Sequence, residues 1–461
     1  MQKVLALIDG EHYVPVTRGA LEYINLSSDR NVVAAVLIGG TEKIGTPQDV
    51  QRGLPIPVVL PAASPSPPIE DIVKAIRFHK PDLVVDLSDE PVINYEKRLR
   101  IASAVVAEGV TYEGADFTFL PIPFSDVCAY PSIKIIGLGK RVGKTAISTA
   151  TAMAVKSMRL KPCVVKAARG GPEEVTILEG DKLSLSPEFL LGEADKGKHA
   201  ASDYYQEALI ARIPTVGARR CGGGMVGKPY YSTEVEGVKL ANTLSCDLVI
   251  VEGSGTTVPA VLNDCSELVI RADQQRSSIT EFFGPYRIQI SDLIVMTMCE
   301  ESVKDLADET ERAIREIKES AVVVRVVLRP QPLGDVKGKR VMFTSVAPIS
   351  AIENALAPYL EKNYGCDVVG FSPWLSNRQK LKEDLAKYLP QSDMLVTEFK
   401  AASVDVATRM AIQHGLDVVY VNNVAVTIGG DAKLEDAIRE VVGLAQKRFR
   451  ERKSKPPQLG R

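Results

Sequence analysis

Residues 135–145 read Ile135-Ile136-Gly137-Leu138-Gly139-Lys140-Arg141-Val142-Gly143-Lys144-Thr145. An apolar strand runs into a loop with three glycines, and a helix of small residues follows from Ala146 to Val155. Phosphate binding needs this order. Glycines let the backbone curl so that several N–H groups converge on one anion, and the helix start adds partial positive charge. In such a loop Lys144 reaches the β- and γ-phosphates, and the Thr145 hydroxyl ligates Mg²⁺. Gly137 and Gly143 enclose five residues, where the standard motif encloses four. The nucleotide-binding set is therefore Gly139, Lys140, Arg141, Val142, Gly143, Lys144, Thr145 and Ala146, with ATP and Mg²⁺ as the expected cofactors.

Further out, Asp247-Leu248-Val249-Ile250-Val251-Glu252-Gly253-Ser254-Gly255 is a buried strand with an acid at its carboxyl end. Ligands gather at such ends in parallel sheets. Glu252 is a candidate Mg²⁺ partner or water-organising carboxylate, so Thr145 and Glu252 form the expected metal pair. Lys166 ends the strand after the glycine-rich loop's helix and is followed by Arg169-Gly170-Gly171. Arg219-Arg220-Cys221-Gly222-Gly223-Gly224 comes later. Guanidinium groups beside glycines suit an anion, although solvated surface loops look the same. Lys144, Lys166 and Glu252 are the candidate catalytic groups. Arg169, Arg219 and Arg220 are candidate substrate contacts, and so is His12 in Asp9-Gly10-Glu11-His12-Tyr13, where a strand ends. Near the other terminus Thr397-Glu398-Phe399-Lys400 ends a strand. Asp405 and Arg409, spaced i, i+4, read as a surface ion pair.

The remaining chain sets limits. Its 461 residues are 45% hydrophobic and 25% charged, which excludes wholesale disorder, a collagen-like chain and a coiled coil. A formal net charge of −2 disfavours a nucleic-acid or membrane coat. No apolar run reaches the roughly 18 residues of a bilayer span, and the N-terminal run is too brief for a signal peptide. Seven scattered cysteines form no C-x-x-C pair, which argues for a reducing compartment, the cytoplasm.

Short apolar strands alternate with helical stretches throughout, as in βαβ units. The strands expected are Val4–Ile8, Val32–Ile38 and Leu83–Leu87, then Ile133–Gly137, Cys163–Lys166, Asp247–Glu252, Leu268–Arg271, Leu293–Met298 and Val322–Leu328. Arg340–Ser345, Asp367–Phe371, Met394–Thr397 and Asp417–Val421 complete the set. Pro172–Gly224 reads as loose, Leu54–Pro68 as proline-punctuated loop, and Gln331-Pro332-Leu333-Gly334 as a linker. Leu434, Ala437, Ile438, Val441 and Val442 share a helix face, and the basic tail from Arg448 should fray. The fold expected is α/β. A central P-loop NTPase domain (129–330) with a mostly parallel sheet is flanked by Rossmann-like N-terminal (1–128) and C-terminal (331–461) α/β domains.

The loop with five intervening residues, Lys166, and Val251-Glu252-Gly253-Ser254-Gly255 resemble the dethiobiotin-synthetase branch of P-loop ATPases. With Leu7 to Tyr13 and Arg219 to Gly224 added, nearly the whole chain resembles the cyclic 2,3-diphosphoglycerate synthetase family. The resemblance implies an ATP-dependent ligase that closes 2,3-bisphosphoglycerate into a cyclic phosphoanhydride, releasing ADP and phosphate. The partner is then that small molecule, with no nucleic acid and no membrane, and the assembly a homodimer. Lys140 and Arg141 join the cations expected to meet so charged a substrate. The signature lysine of the partition-ATPase branch falls here on Gly139. Two rivals share the same loop. One is another ligase of the dethiobiotin type, and the other is an ATPase switch, for which the basic tail speaks.

Overall fold

The computed structural model describes residues 1–26, 29–61 and 67–454. The part of the proline-rich stretch at 62–66, and the Pro456-Pro457 end of the tail, lie outside the described residues.

The N-terminal region forms a six-stranded sheet in the order Val58–Val59, Arg30–Leu37, Gln2–Ile8, Leu83–Asp86, Thr111–Glu113, Thr118–Phe119. All neighbours are parallel except the last pair. The helices Val14–Leu26, Pro47–Gly53, Ile69–His79 and Tyr95–Ala107 are the crossovers. Val4, Leu5, Ala6 and Leu7 are fully buried, as a strand covered on both faces requires.

A second sheet of thirteen strands carries the rest of the described chain. Its centre is parallel: Pro214–Cys221, Pro162–Ala168, Leu248–Glu252, Ser132–Gly137, Cys265–Arg271, Leu293–Thr297, then Val322–Pro332. The helix Lys144–Ser157 follows the glycine-rich loop. A smaller C-terminal lobe adds Asp417–Gly430, Met394–Glu398, Arg340–Thr344 and Asp367–Ser372. The two lobes join where Val322–Pro332 pairs antiparallel with the fourteen-residue strand Asp417–Gly430. The expected α/β architecture, mostly parallel around a P-loop domain, is the one found.

Four local expectations need correction. Gln331 and Pro332 are not linker but the end of a strand, paired with Asn422 and Val421. Pro332 is tolerated because proline is excluded from strand interiors, not from strand ends. Pro172–Gly224 is not loose. It holds Thr176–Glu179, the helices Pro187–Asp195 and Asp203–Ala211, and Pro214–Cys221. Its charges mask a packed interior of Leu190, Tyr204, Tyr205 and Ala208. The basic tail does not fray at Arg448, because the helix Leu434–Ser454 continues past it. Arg448 binds Asp292 at 2.9 Å, and Arg452 binds Asp264 and Asp126. Asp405 and Arg409 do not pair with each other. Asp405 meets Arg378, and Arg409 meets Asp195, both at 2.5 Å. The segment Ser403–Thr408 is wound as a π-helix, which breaks the i, i+4 alignment.

The terminal helix buries Leu434, Ala437, Ile438, Val441 and Val442, the face its spacing indicates. They pack in one cluster with Ile147 and Val155 of the helix after the glycine-rich loop. The chain's last helix thus returns from the C-terminal lobe to brace the P-loop lobe.

Candidate active site

The strand Ser132–Gly137 is buried throughout and delivers the chain to a loop held from two sides. Thr297 Oγ1 donates to the Val142 carbonyl at 2.8 Å. Gly143 adopts φ +90°, a left-handed conformation that a side chain would strain. The helix starts at Lys144, with the hydroxyl-bearing Thr145 also buried behind it. Lys144 Nζ donates to the Gly255 carbonyl at 2.9 Å and the Gly139 carbonyl at 3.2 Å. Carbonyls stand there where an anion would be a far stronger partner. Burial, reinforced by the charge of Lys166, pushes the Lys144 ammonium down to about 8.

Beside the loop, Lys166 forms a direct ion pair with Glu252 and lies 3.6 Å from Asp203. Lys166 and Glu252 are essentially without exposure. Burial alone would lower the Lys166 ammonium, but Glu252 and Asp203 outweigh it and hold it above its ordinary value. Asp203 stays at about 2, because Lys166, Lys400 and Lys144 together overcome its desolvation.

Glu207 completes the group. It lies four residues after Asp203 on the helix Asp203–Ala211, so both face the same way. It is fully buried against Glu252 and Ser148. Both Glu207 oxygens and Glu252 Oε2 lack a hydrogen-bond donor when both groups are carboxylates. Burial, then the charge of Glu252, raises the Glu207 carboxyl well above the usual range. Burial beside the Glu252 charge thus favours the neutral form of Glu207.

A cleft of about 1450 Å³ opens over these groups. Its floor is the loop from Lys140 to Ala146, with Lys166 and Glu252 behind it. Arg169 lines the same wall. The opposite wall is the C-terminal lobe, through Ser350, Asn354, Arg378 and Lys400. The ends of Arg340–Thr344 and Met394–Glu398 therefore face the ends of the P-loop strands across the gap.

The expected residues do not all converge. Lys140, Arg141, Val142, Gly143, Lys144, Thr145, Ala146, Lys166, Arg169 and Glu252 line the cleft. Gly139 stands behind them, its carbonyl on Lys144. Arg220 is buried, with Nη2 on the Ser254 carbonyl at 2.6 Å and Nη1 on the Gly222 carbonyl at 3.1 Å. Gly255 (φ +65°) has no room for a side chain, since a Cβ there would sit 2.7 Å from Arg169 and 3.1 Å from Arg220. Arg220 thus shapes the Ser254–Gly255 turn without lining the cleft. Arg219 does not line the cleft either. Neighbouring strand residues point to opposite faces, and Arg219 Nε is spent on the Pro172 carbonyl at 2.6 Å. His12 also stands outside the cleft, its Nδ1 2.7 Å from Asp9 Oδ1 at the end of the N-terminal sheet.

Asp203, Glu207 and Lys400 were not singled out as site residues. The signal for the first two was their i, i+4 spacing within an apolar-faced stretch. For Lys400 it was the strand end at Glu398.

Family models described as the cyclic 2,3-diphosphoglycerate synthetase N-terminal, P-loop and C-terminal domains match residues 3–120, 132–327 and 332–424. The cyclic 2,3-diphosphoglycerate synthetase of Methanothermus fervidus is 47% identical over 449 residues, covering 96% of this chain and 97% of its own. That of Methanothermobacter thermautotrophicus is 45% identical, covering 98% of both chains. That of Rubrobacter xylanophilus is 42% identical over 94% of this chain and 96% of its own. With a P-loop that binds nucleotide and relatives matched end to end, the chain belongs to the cyclic 2,3-diphosphoglycerate synthetase family of ATP-dependent ligases.

Proposed function

We propose that the protein uses ATP to close 2,3-bisphosphoglycerate into its cyclic intramolecular phosphoanhydride. The observation that carries this reading is the Lys166–Glu252 pair at the mouth of a P-loop, opening into a cleft with cations on both walls. Two phosphates on adjacent carbons repel each other, and neither is a good electrophile. One of them attacks the γ-phosphorus of ATP, a P–O bond forms, and ADP leaves. The substrate then carries a phosphoanhydride whose terminal group is a phosphate leaving group. The neighbouring phosphate attacks the inner phosphorus, closing the ring and releasing inorganic phosphate. The second step is intramolecular and gains from a held geometry.

The protein's task is positioning and charge neutralisation. Lys144 exchanges its carbonyl partners for the nucleotide's β- and γ-oxygens. Lys166, fixed by Glu252 and Asp203, meets the transferring phosphoryl group. Arg169 holds the substrate's second phosphate. Among the described residues no cluster of three or more His, Cys, Asp or Glu could cage a metal alone. That suits Mg²⁺, which is usually held by one or two protein groups plus phosphates. Thr145 and Glu252, with its Oε2 lacking a donor, would hold it, and bound there it would neutralise charge on the phosphates.

Six of the seven cysteines are buried free thiols and the seventh is an exposed one, which supports a reducing compartment, the cytoplasm. No helix among the described residues is long and apolar enough to cross a membrane. A homodimer fits the exposed Met225, Tyr230 and Tyr231, and light scattering tests it. Nucleic acid has no place in this reading.

The reaction is tested by phosphorus NMR. Protein, ATP and Mg²⁺ should release ADP only when 2,3-bisphosphoglycerate is added, with a new anhydride resonance in the product. ADP release indifferent to that substrate would refute the reading.

A further inference from the structure

We propose that the C-terminal lobe supplies half of the substrate site, with the Lys400 ammonium gripping one phosphate of a small bisphosphate across the cleft from Arg169. The inference rests on the reaction proposed above and extends it to a lobe that the P-loop leaves without a role.

Position is the first argument. Lys400 follows the carboxyl end of Met394–Glu398 and lines the cleft. Its Nζ lies 4.0 Å from Asp203, which lies 3.6 Å from Lys166, which pairs with Glu252. A cation of the far lobe therefore stands one carboxylate away from the catalytic pair. It also belongs to the electrostatic field felt by Lys144.

Residual charge is the second argument. Of the other cations lining the cleft, three have carboxylate partners of their own. Arg378 binds Asp405, Lys198 binds Glu193, and Arg271 binds Asp273. Asp203, the neighbour of Lys400, is shared with the closer Lys166. Lys400 is thus the cation of the C-terminal wall with the loosest carboxylate contact, 4.0 Å from an Asp203 held closer by Lys166. Each phosphate monoester brings close to two negative charges at neutral pH, so a bisphosphate calls for cations from more than one wall of the cleft.

Rigidity is the third. The next residue, Ala401, adopts φ +49°, which a side chain rarely takes and which marks functional turns. The Lys400 N–H donates to Ser403 Oγ at 3.1 Å. Phe399 is buried edge-on against Tyr420, 5.2 Å between ring centres. The turn is held in shape while the Lys400 side chain keeps partial access to solvent, the condition for a preorganised ligand contact.

The rival explanation is a lobe-to-lobe ion pair with Asp203 and nothing more. Full-length wild type, Lys400→Ala and Lys400→Arg are titrated calorimetrically with 2,3-bisphosphoglycerate and, separately, with a non-hydrolysable ATP analogue, and their melting temperatures compared. Losing one charge-assisted contact should weaken bisphosphate binding by about tenfold or more in Lys400→Ala. Nucleotide affinity should stay within about twofold, and Lys400→Arg should recover most of the loss because the charge is kept. Lys400→Gln replaces the alanine variant if that one does not fold. Unchanged bisphosphate affinity in Lys400→Ala, or equal loss of both ligands with a lowered melting temperature, overturns the assignment. Wild type that binds the analogue but not the bisphosphate overturns the proposed reaction, and this assignment with it.

Discussion

Two acids end two strands of parallel sheets in this molecule, and they have opposite surroundings. Asp9 closes the first strand of the N-terminal sheet. Its Oδ1 takes the Glu11 N–H at 3.0 Å and meets His12 Nδ1, and its Oδ2 takes the Asp89 N–H at 2.7 Å. Every oxygen is satisfied by a neighbour that also fixes the loop. Glu252 closes a strand of the P-loop lobe with one oxygen on Lys166 and the other without a donor. A satisfied carboxylate holds a shape. An under-satisfied one, beside a lysine that shares it, is held ready for something absent. The same residue class at the same topological place therefore gives different chemistry, and hydrogen-bond accounting tells them apart.

The largest effect that sharpens this contrast lies at Lys144. Lys144→Ala should reduce kcat by about a thousandfold or more with folding intact, as removal of a phosphate-clamping cation does. Steady-state turnover with a circular-dichroism melt checks it, and a fully active variant would sink the P-loop assignment. The same lysine has a pH signature. Its apo value of about 8 lies below that of a free lysine, and bound phosphates raise it. Nucleotide binding should therefore take up close to one proton at pH 9, and affinity should fall as pH rises from 8 towards 10. Titrations in buffers of different ionisation enthalpy measure the uptake, which Lys144→Arg should abolish.

Glu207 is the intermediate case. Glu207→Leu removes the buried polar group packed against Glu252 and should cost on the order of ten- to a hundredfold in kcat. Glu207→Gln keeps a neutral donor and should restore most of it. Equal activity of the two variants would show that a polar group at position 207 does not tune Glu252.

The smallest effect is on the Asp9 side. His12→Ala should leave kcat/KM within about threefold, since a half-buried partner of an already satisfied acid contributes little. A tenfold loss would return His12 to the site and blur the contrast.

The glycine-rich loop was legible because strand, loop and helix are consecutive in the chain, and local spacing encodes them. Glu252 and Lys166 were legible as strand ends. Arg219 and Arg220 could not be separated by spacing alone, because which of two neighbours faces inward depends on strand register, and register is set by partners far away. Lys400 and Asp203 are 197 positions apart in the chain and meet only through the order of strands in the sheet. That order follows from packing, which no local pattern records. The stretch before Arg219 hid two helices because its apolar residues, among them Tyr204, Tyr205, Ala208 and Leu209, are broken up by the charged and glycine-containing turn Lys196-Gly197-Lys198.

The antiparallel seam between Val322–Pro332 and Asp417–Gly430 has a mechanical consequence. It makes both jaws of the reaction chamber one continuous plate, stiffened from behind by the terminal helix. The seam sets where the two rows of strand ends stand relative to each other, so the width of the gap bounds the length of a molecule that can bridge it.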